Sequence, residues 1–554
     1  MMVFSDRRFW VHLIFNGLPA YSDEIITDEN GQSRVRRFYG DQYPLELVEG
    51  DWRTPLRDNE IEIMRDAGIT GVQVLLFGQP SMDKILELTP LADATHNDSD
   101  PTNRVLIAPC IQVDTADIVA VMQEYATYAA GHPSIAKIDG KFVVYTFNST
   151  TKTESEWRNI RNQLEALDIP VYLIMDYQLD ASQYGNTINQ ANEARATALF
   201  PVNDANYIFD DSLHLFFPRF VEFVNKYRRP FAGGMLPGYN RETEHSPGQF
   251  GGYRDSRGTK VYRQLLSDYQ KSELMWQNII SWSDIAENHE IRPTSNWHKT
   301  RSDITAFYSA LHRNRPFPRP EPELYITTPK AIFVGEAIEA EAMILNGGGQ
   351  PVSAQVQIVD GAGNDVLGPI TSSPIIGGTS GDATVPYEVN SVWGGHWMRA
   401  KARILDASGN IIKEVLSAPI CIYPAGATPT APIRRSYYSI PAYAALPDNV
   451  SLSLSASPVS SPDTSEATVT TSSGRSMRFI EVIQNTRQVW LKFDSTSYTT
   501  GTTLNSDGSI ADPLPMSVRH VTNANHSAAP NGFYVGRVID DEERVGYSDP
   551  LYFA

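Results

Sequence analysis

The chain has 554 residues, 41% hydrophobic and 20% charged, with a formal net charge of −19. This length and mixture describe several folded domains with sizeable cores and exclude a disordered chain. The acidic balance argues against nucleic acid or an anionic membrane as partner, and no apolar run reaches the ~18 residues of a membrane span.

The first apolar run, Phe9–Phe15, reads as a strand ending at Asn16. It is short for a signal sequence, and no small-residue cleavage site follows it. Asn59–Ala67 has an amphipathic helical period and stops at Gly68, a residue suited to a helix C-terminus. Gly71–Phe77 is a buried strand. Arg104–Ile111 is the third strand and Ala116–Tyr128 the helix after it. Phe142–Phe147, entered through the Asp139-Gly140 turn, is the fourth strand, and Glu154–Leu167 is helical. Val171–Met175 is the fifth strand. The sixth is Ala198–Val202 or Tyr207–Phe209. Leu213–Tyr227 is helical, Pro230–Met235 is the seventh strand, Lys260–Glu273 a helix, Ile279–Trp282 the eighth strand, and Ile304–Arg313 closes the series. Eight strand–helix alternations predict a (β/α)8 barrel over residues 1–314. The alternative is an open doubly wound sheet, but no Gly-x-Gly-x-x-Gly or phosphate loop accompanies it.

Residues 315–322, Arg-Pro-Phe-Pro-Arg-Pro-Glu-Pro, predict a stiff Pro-rich linker. Beyond it helical periodicity gives way to short alternating runs such as Ala354–Val359 and Arg399–Ile404, the pattern of an immunoglobulin-like β-sandwich over 323–424. A second Pro-rich break precedes another β-sandwich over 425–554. The two share a hairpin signature: Arg403-Ile-Leu-Asp406 leads to Ser417-Ala-Pro-Ile420, and Arg537-Val-Ile-Asp540 leads to Ser548-Asp-Pro-Leu551. This is either a duplication or two similar hairpins. The two cysteines, Cys110 and Cys421, fall in different domains, so no disulfide is expected. No Cys/His spacing resembles a zinc site, and neither metal nor cofactor is expected.

The chemistry concentrates at the eighth strand, Asn278-Ile-Ile-Ser-Trp-Ser-Asp-Ile-Ala-Glu-Asn-His289. It places Asp284 and Glu287 three residues apart where the strand gives out, with Trp282 just before them. Paired carboxylates beside an aromatic ring suit glycosidic bond cleavage: one handles the proton of the leaving oxygen, the other activates the attacking group, and the ring offers a platform for a sugar. In a barrel of this kind such chemistry sits at the C-terminal strand ends. There the sequence also puts Asn16, Asp114, Asn148, Asp176, Asp204 and the Pro237-Gly238-Tyr239 turn. A rim of Asp, Asn and Tyr suits hydroxyl-rich ligands. The competing role for each Asp or Asn is to cap the next helix; capping and ligand contact weigh equally at Asp114, and Asp176 is expected to face the ligand.

The order Pro237-Gly238-Tyr239, Arg254, Gly258-Thr-Lys-Val-Tyr262 and the acid-bearing strand resembles glycoside hydrolase family 99, the endo-α-mannosidases. The Trp282, Asp284, Glu287 and His289 pattern is similar to glycoside hydrolase family 71, the α-1,3-glucanases. Both resemblances centre on residues 229–297 and do not reach the β-rich half. They imply cleavage of an α-linked polysaccharide, α-glucan or α-mannan, with Asp284 as base and Glu287 as general acid. They also imply that Tyr239, His289 and Arg254 bind substrate or position the acids, while the strand-end reading puts Trp282, Asp176, Asp114 and Asn148 among the substrate-binding residues. Aspartate at the first position leaves room for a water, which favours inversion. Family 71 members carry Gly-Ile-Asp before the second strand; here the residues are Gly68-Ile-Thr70, which puts activity in question and leaves open a barrel that binds glycan without cutting it. A leaderless polysaccharide enzyme with two sandwich domains is expected in a virion, as a phage tail component whose sandwiches meet other virion proteins; the alternative location is extracellular.

Overall fold

The computed structural model describes residues 7–13, 24–27, 33–36, 45, 59–76, 82–176, 194, 197–208, 226–240, 253–271, 276–283, 288–427, 436–454, 466–472, 477–484, 487–495, 497–501, 519–520 and 532–553. Among the described residues eight parallel strands, with a short antiparallel strand Lys137–Ile138 beside the fourth, form one sheet: β1 (Phe9–Leu13), β2 (Gly71–Leu76), β3 (Leu106–Gln112), β4 (Lys141–Phe147), β5 (Val171–Asp176), β6 (Ala205–Tyr207), β7 (Phe231–Ala232) and β8 (Gln277–Ile280). Each pairs with the next, and β8 pairs with β1, Val11 opposite Ile279. The last seam, β7 to β8, is made by Gly233 N–H to Trp276 O, Met235 N–H to Asn278 O and Ile280 N–H to Met235 O, each at 2.9 Å. The sheet is therefore a closed barrel, and the open-sheet alternative falls. Strands apolar on nearly every residue, such as β2 with Val72, Val74, Leu75 and Leu76, form here because both faces are buried.

Aromatic rings fill the interior. Trp10 lies 4.9 Å from Trp276 and 5.5 Å from Tyr145, and Tyr145 lies 5.4 Å from Tyr207, centroid to centroid. Gly71 faces the same space: a Cβ there would stand 2.3 Å from the Trp10 ring, so only glycine leaves room for the indole. One step towards the C-terminal end the filling becomes polar, with His12, Gln73 and Asn278 wholly buried and Gln73 Nε2 donating to Asn278 Oδ1 at 2.7 Å.

The flanking helices include α1 (Glu60–Asp66), α2 (Met82–Ala94), α3 (Ile118–Ala129), α4 (Glu154–Ala166), α5 (Lys260–Gln270) and α6 (Thr300–His312). The sixth strand is 205–207, so Asp204 precedes it. Asp204 sits on the N-terminal side, accepting from Leu173 N–H at 2.9 Å and paired with Arg161 at 3.0 Å, and does not belong to the C-terminal rim. Helix α6 starts four residues earlier than its apolar period suggests. Its polar first turn is buried because barrel and sandwich cover opposite faces: Asp303 accepts from Tyr325 Oη at 2.9 Å and pairs with Arg319 at 2.5 Å.

The first sandwich stacks the sheet Thr379–Glu388, Ala337–Asn346, Glu323–Pro329 and Tyr437–Pro441 on a second sheet built around Ser353–Asp360 and Trp397–Leu405. Two expectations change. Tyr437–Pro441, which a boundary at 424 gives to the second sandwich, hydrogen-bonds along Glu323–Pro329 and completes the first. Residues 315–322 are not a free spacer: Phe317 is buried 5.3 Å from Phe307 of α6, and Arg319 is pinned by Asp303. The second sandwich packs Val469 of one antiparallel sheet against Val482, Tyr534 and Val538 of another.

Among the described residues the hairpin signature occurs three times, at Asp360, Asp406 and Asp540. In each, the aspartate carboxylate accepts from the backbone N–H groups two and four residues on. In each, a serine before a residue-proline pair (Ser372, Ser417, Ser548) takes a backbone N–H of the partner strand on its Oγ and passes its own proton to the next carbonyl. Two copies lie in the first sandwich, so the repeated unit is the hairpin and not the whole domain. Both cysteines are buried and free.

Candidate active site

Residues 284–287 lie outside the described residues, and with them Asp284 and Glu287. Their attachment is described on both sides. Ser281, Trp282 and Ser283 continue from the C-terminal end of β8, and the limb from Asn288 to Lys299 returns to α6. The two limbs run together: Ser281 N–H donates to His289 O at 3.2 Å, Ile291 N–H to Ser281 O at 3.0 Å and Arg292 N–H to Trp282 O at 3.1 Å. Arg301 Nη1 holds the Asn288 carbonyl at 3.0 Å and the Glu290 carboxylate at 3.1 Å. The residues on either side of the pair, Ser283 and Asn288, thus belong to limbs held at the C-terminal end of β8.

Trp282 is not a sugar platform. It is wholly buried among the barrel core residues, and its Nε1–H donates to Glu60 Oε1 at the start of α1. Glu60 is itself fully buried and pairs with Arg292 Nη2 at 3.0 Å. Trp282 with Glu60 and Arg292 is a wedge that fixes the strand end; a wholly buried ring offers no face to ligand. Among the described residues no group of three or more His, Cys, Asp or Glu is placed to hold a metal ion, and no described helix is long and apolar enough to cross a membrane.

Beside this wedge stand Tyr239 and His289, their rings stacked 6.0 Å apart at 14°. Tyr239 is half-buried and pairs through its backbone with Arg254, whose side chain lies outside the described residues. Gly238 allows this approach, since a Cβ there would meet Ser256 Cβ at 2.8 Å. Tyr239 and His289 are therefore brought together, with the backbone of Arg254 beside Tyr239.

Asp114, Asn148 and Asp176 form a second group at the ends of β3, β4 and β5. Asn148 Nδ2 donates to Asp114 Oδ1 at 3.1 Å, and Asp114 is exposed. Asp114 caps no helix: Asp117 does, accepting from Val119 and Ala120 N–H. Asp176 does not face ligand. Its Oδ2 accepts from Asn148 N–H at 3.0 Å, and its Oδ1 accepts from Ser149 N–H at 2.7 Å and from Ser149 Oγ. It holds the 148–151 turn, in which Asn148 takes a left-handed φ of 64°.

Burial pushes the Asp176 carboxyl up to about 6, against the lowering by its bonds from Ser149 and Asn148. The sign follows directly. A carboxyl whose folded pKa exceeds the unfolded value of 3.8 favours folding at low pH and loses that contribution as pH rises towards 6. Asp176→Asn removes this slope. Across roughly pH 4 to 6, wild-type stability should fall relative to the variant by on the order of 3 kcal/mol. Denaturant titrations of both proteins across that range measure it, and parallel curves would refute it.

Thr70 stands at the opposite end of β2 from this mouth. It is buried, its Oγ1 accepts from Phe9 N–H at 3.3 Å, and its carbonyl accepts from Arg8 Nη1 at 3.1 Å. Six residues of strand, about 20 Å, separate it from the C-terminal rim, so threonine here removes no group from the mouth. Sequence reasoning missed Glu60 and Arg292, and also the buried polar layer of His12, Gln73 and Asn278. The latter had a partial signal: each lies two positions from a residue facing the barrel interior, and His12 and Gln73 are single polar residues in otherwise apolar strands.

No family model matches the sequence, and no curated protein matches it. Among solved structures, the chain is similar to a GH99 endo-α-mannosidase from Bacteroides thetaiotaomicron, at 12% identity over 55% of this chain and 97% of that chain, with a TM-score of 0.42. A second structure of that enzyme gives 13% identity, 55% and 98% coverage and a TM-score of 0.43. A β-glucuronidase 2 from Bacteroides uniformis matches at 10% identity over 96% of this chain and 66% of its own, with a TM-score of 0.39. Likenesses this distant assign no residue a role.

Proposed function

We propose that this chain is a glycoside hydrolase that cuts an α-linked polysaccharide, an α-glucan or α-mannan, at the C-terminal mouth of its barrel. The observation that carries the reading is the position of β8. It is the closing strand, and its C-terminal end leads into the span of Asp284 and Glu287, beside the stacked Tyr239 and His289. In this reading Asp284 takes a proton from a water whose oxygen attacks the anomeric carbon. Glu287 gives its proton to the glycosidic oxygen as the carbon–oxygen bond breaks. Tyr239, His289, Asn148 and Asp114 offer hydroxyl-binding groups around the cleft.

The chain is proposed to act as part of a phage tail. The strand Ile411–Leu416, with Ile411 and Ile412 each more than half exposed, would meet neighbouring virion proteins. Incubating the purified chain with a panel of α-glucans and α-mannans tests the enzymatic reading. New reducing ends should appear with at least one polymer. Binding to a polymer without any new reducing end would replace it with a glycan-binding tail protein.

A further inference from the structure

In the hairpins at Asp360 and Asp406 the left-handed turn position is glycine, Gly363 at φ 85° and Gly409 at φ 84°; in the hairpin at Asp540 it is Glu543 at φ 61°. That backbone conformation is disfavoured for an L side chain, so the hairpin alone gives no reason for glutamate. The reason lies across the domain boundary. Glu543 Oε2 is 2.6 Å from Lys299 Nζ, its Oε1 is 3.4 Å from Arg478 Nη1, and its carbonyl accepts from His298 Nε2. Burial drives His298 down to about 4, so it donates as a neutral ring.

Arg537, on the same sandwich and fully buried, reaches the preceding residues. Nη1 donates to Ser295 O at 3.0 Å and Asn296 Oδ1 at 2.8 Å, Nη2 donates to Ser295 Oγ at 2.9 Å, and Glu481 balances the charge at 2.5 Å. Lys299, His298, Asn296 and Ser295 all belong to the limb that returns from the acid pair to α6. Its other side is held by the barrel through Arg292–Glu60 and Arg301–Glu290.

We propose that the terminal sandwich is a working part of the barrel's site. Arg537 and Glu543 are positioning residues that fix the 288–299 limb, which follows Asp284 and Glu287 in the chain. The catalytic half of this inference rests on the proposed hydrolase; the structural half does not.

Glu543→Gly in the full chain separates positioning from folding. Glycine fits the turn as it does at 363 and 409, so the melting temperature should hold or rise. Amide exchange within 288–299 should nonetheless quicken by about 10-fold, and kcat should fall by about 10-fold with KM little changed, because a small misplacement of reacting groups is costly. The double variant Arg537→Met with Glu481→Leu removes a buried charge pair without orphaning either member and should give the same pattern. Unchanged exchange in 288–299 for Glu543→Gly overturns the inference, whether or not activity changes. If the wild-type chain cleaves no polymer, the hydrolase reading fails while exchange still decides the brace: faster exchange confined to 288–299 sustains it.

Discussion

Glu287→Gln should abolish cleavage and keep glycan binding. The amide has nearly the shape of the protonated carboxyl and can still hydrogen-bond to the glycosidic oxygen, but it has no proton to transfer. The loss should reach at least the ~10²–10⁴-fold range of general acid catalysis. Binding should survive because the groups proposed to meet sugar hydroxyls, Tyr239, His289, Asn148 and Asp114, are untouched. The fold should survive because the ends of the span are held by other residues, Trp282 through Glu60 and Asn288 through Arg301. Initial rates from reducing-end formation, with affinity measured on the same polymer, separate the two effects. A Glu287→Gln protein that keeps most of its activity removes the acid from this position. A substrate with an activated leaving group, which needs little proton donation, should recover much of the rate.

How much was legible in the sequence depends on how local each signal is. β2, β3 and β5 were readable because strands buried on both faces are continuous apolar runs. β6 was not: it is three residues long, and the apolar residues on either side offered two equally good windows. α2 was overlooked because Pro90 interrupts a weak apolar stripe. α6 lost its first turn because Thr300, Arg301, Ser302 and Asp303 look like a solvated loop until the sandwich that covers them is in place. The strand Tyr437–Pro441 was assigned to the wrong sandwich for a related reason, its partner strand being more than a hundred residues earlier. The motif order placed Tyr239 and Arg254 near each other, and their backbones pair. Asp176 was misread because its partners, Asn148 and Ser149, belong to the preceding strand's turn. Trp282 shows the limit most plainly. An aromatic ring before an acid pair reads equally well as a platform or as core, and the deciding partner, Glu60, is 222 residues away.

That partner makes the second large effect. Arg292→Met should destabilise the protein by roughly 3–5 kcal/mol, the cost of breaking a buried ion pair. Glu60 and Arg292 are 0% and 2% exposed at their side chains, with 3.0 Å between Oε2 and Nη2, so solvent cannot replace the lost guanidinium. Methionine keeps much of the volume, so the loss reports charge more than a cavity. Adding Glu60→Gln should recover most of it, because the amide oxygen still accepts from Trp282 Nε1 and no charge is left buried. The same contacts tie α1 to the strand end before the acid pair, so the single variant should also lose activity at temperatures where it remains folded. Denaturant titrations of the single and double variants give both terms. If Arg292→Met falls within about 1 kcal/mol of wild type, as for an exposed ion pair, the wedge of Trp282, Glu60 and Arg292 does not hold the mouth, and the acid span must take its position from the sandwich side alone.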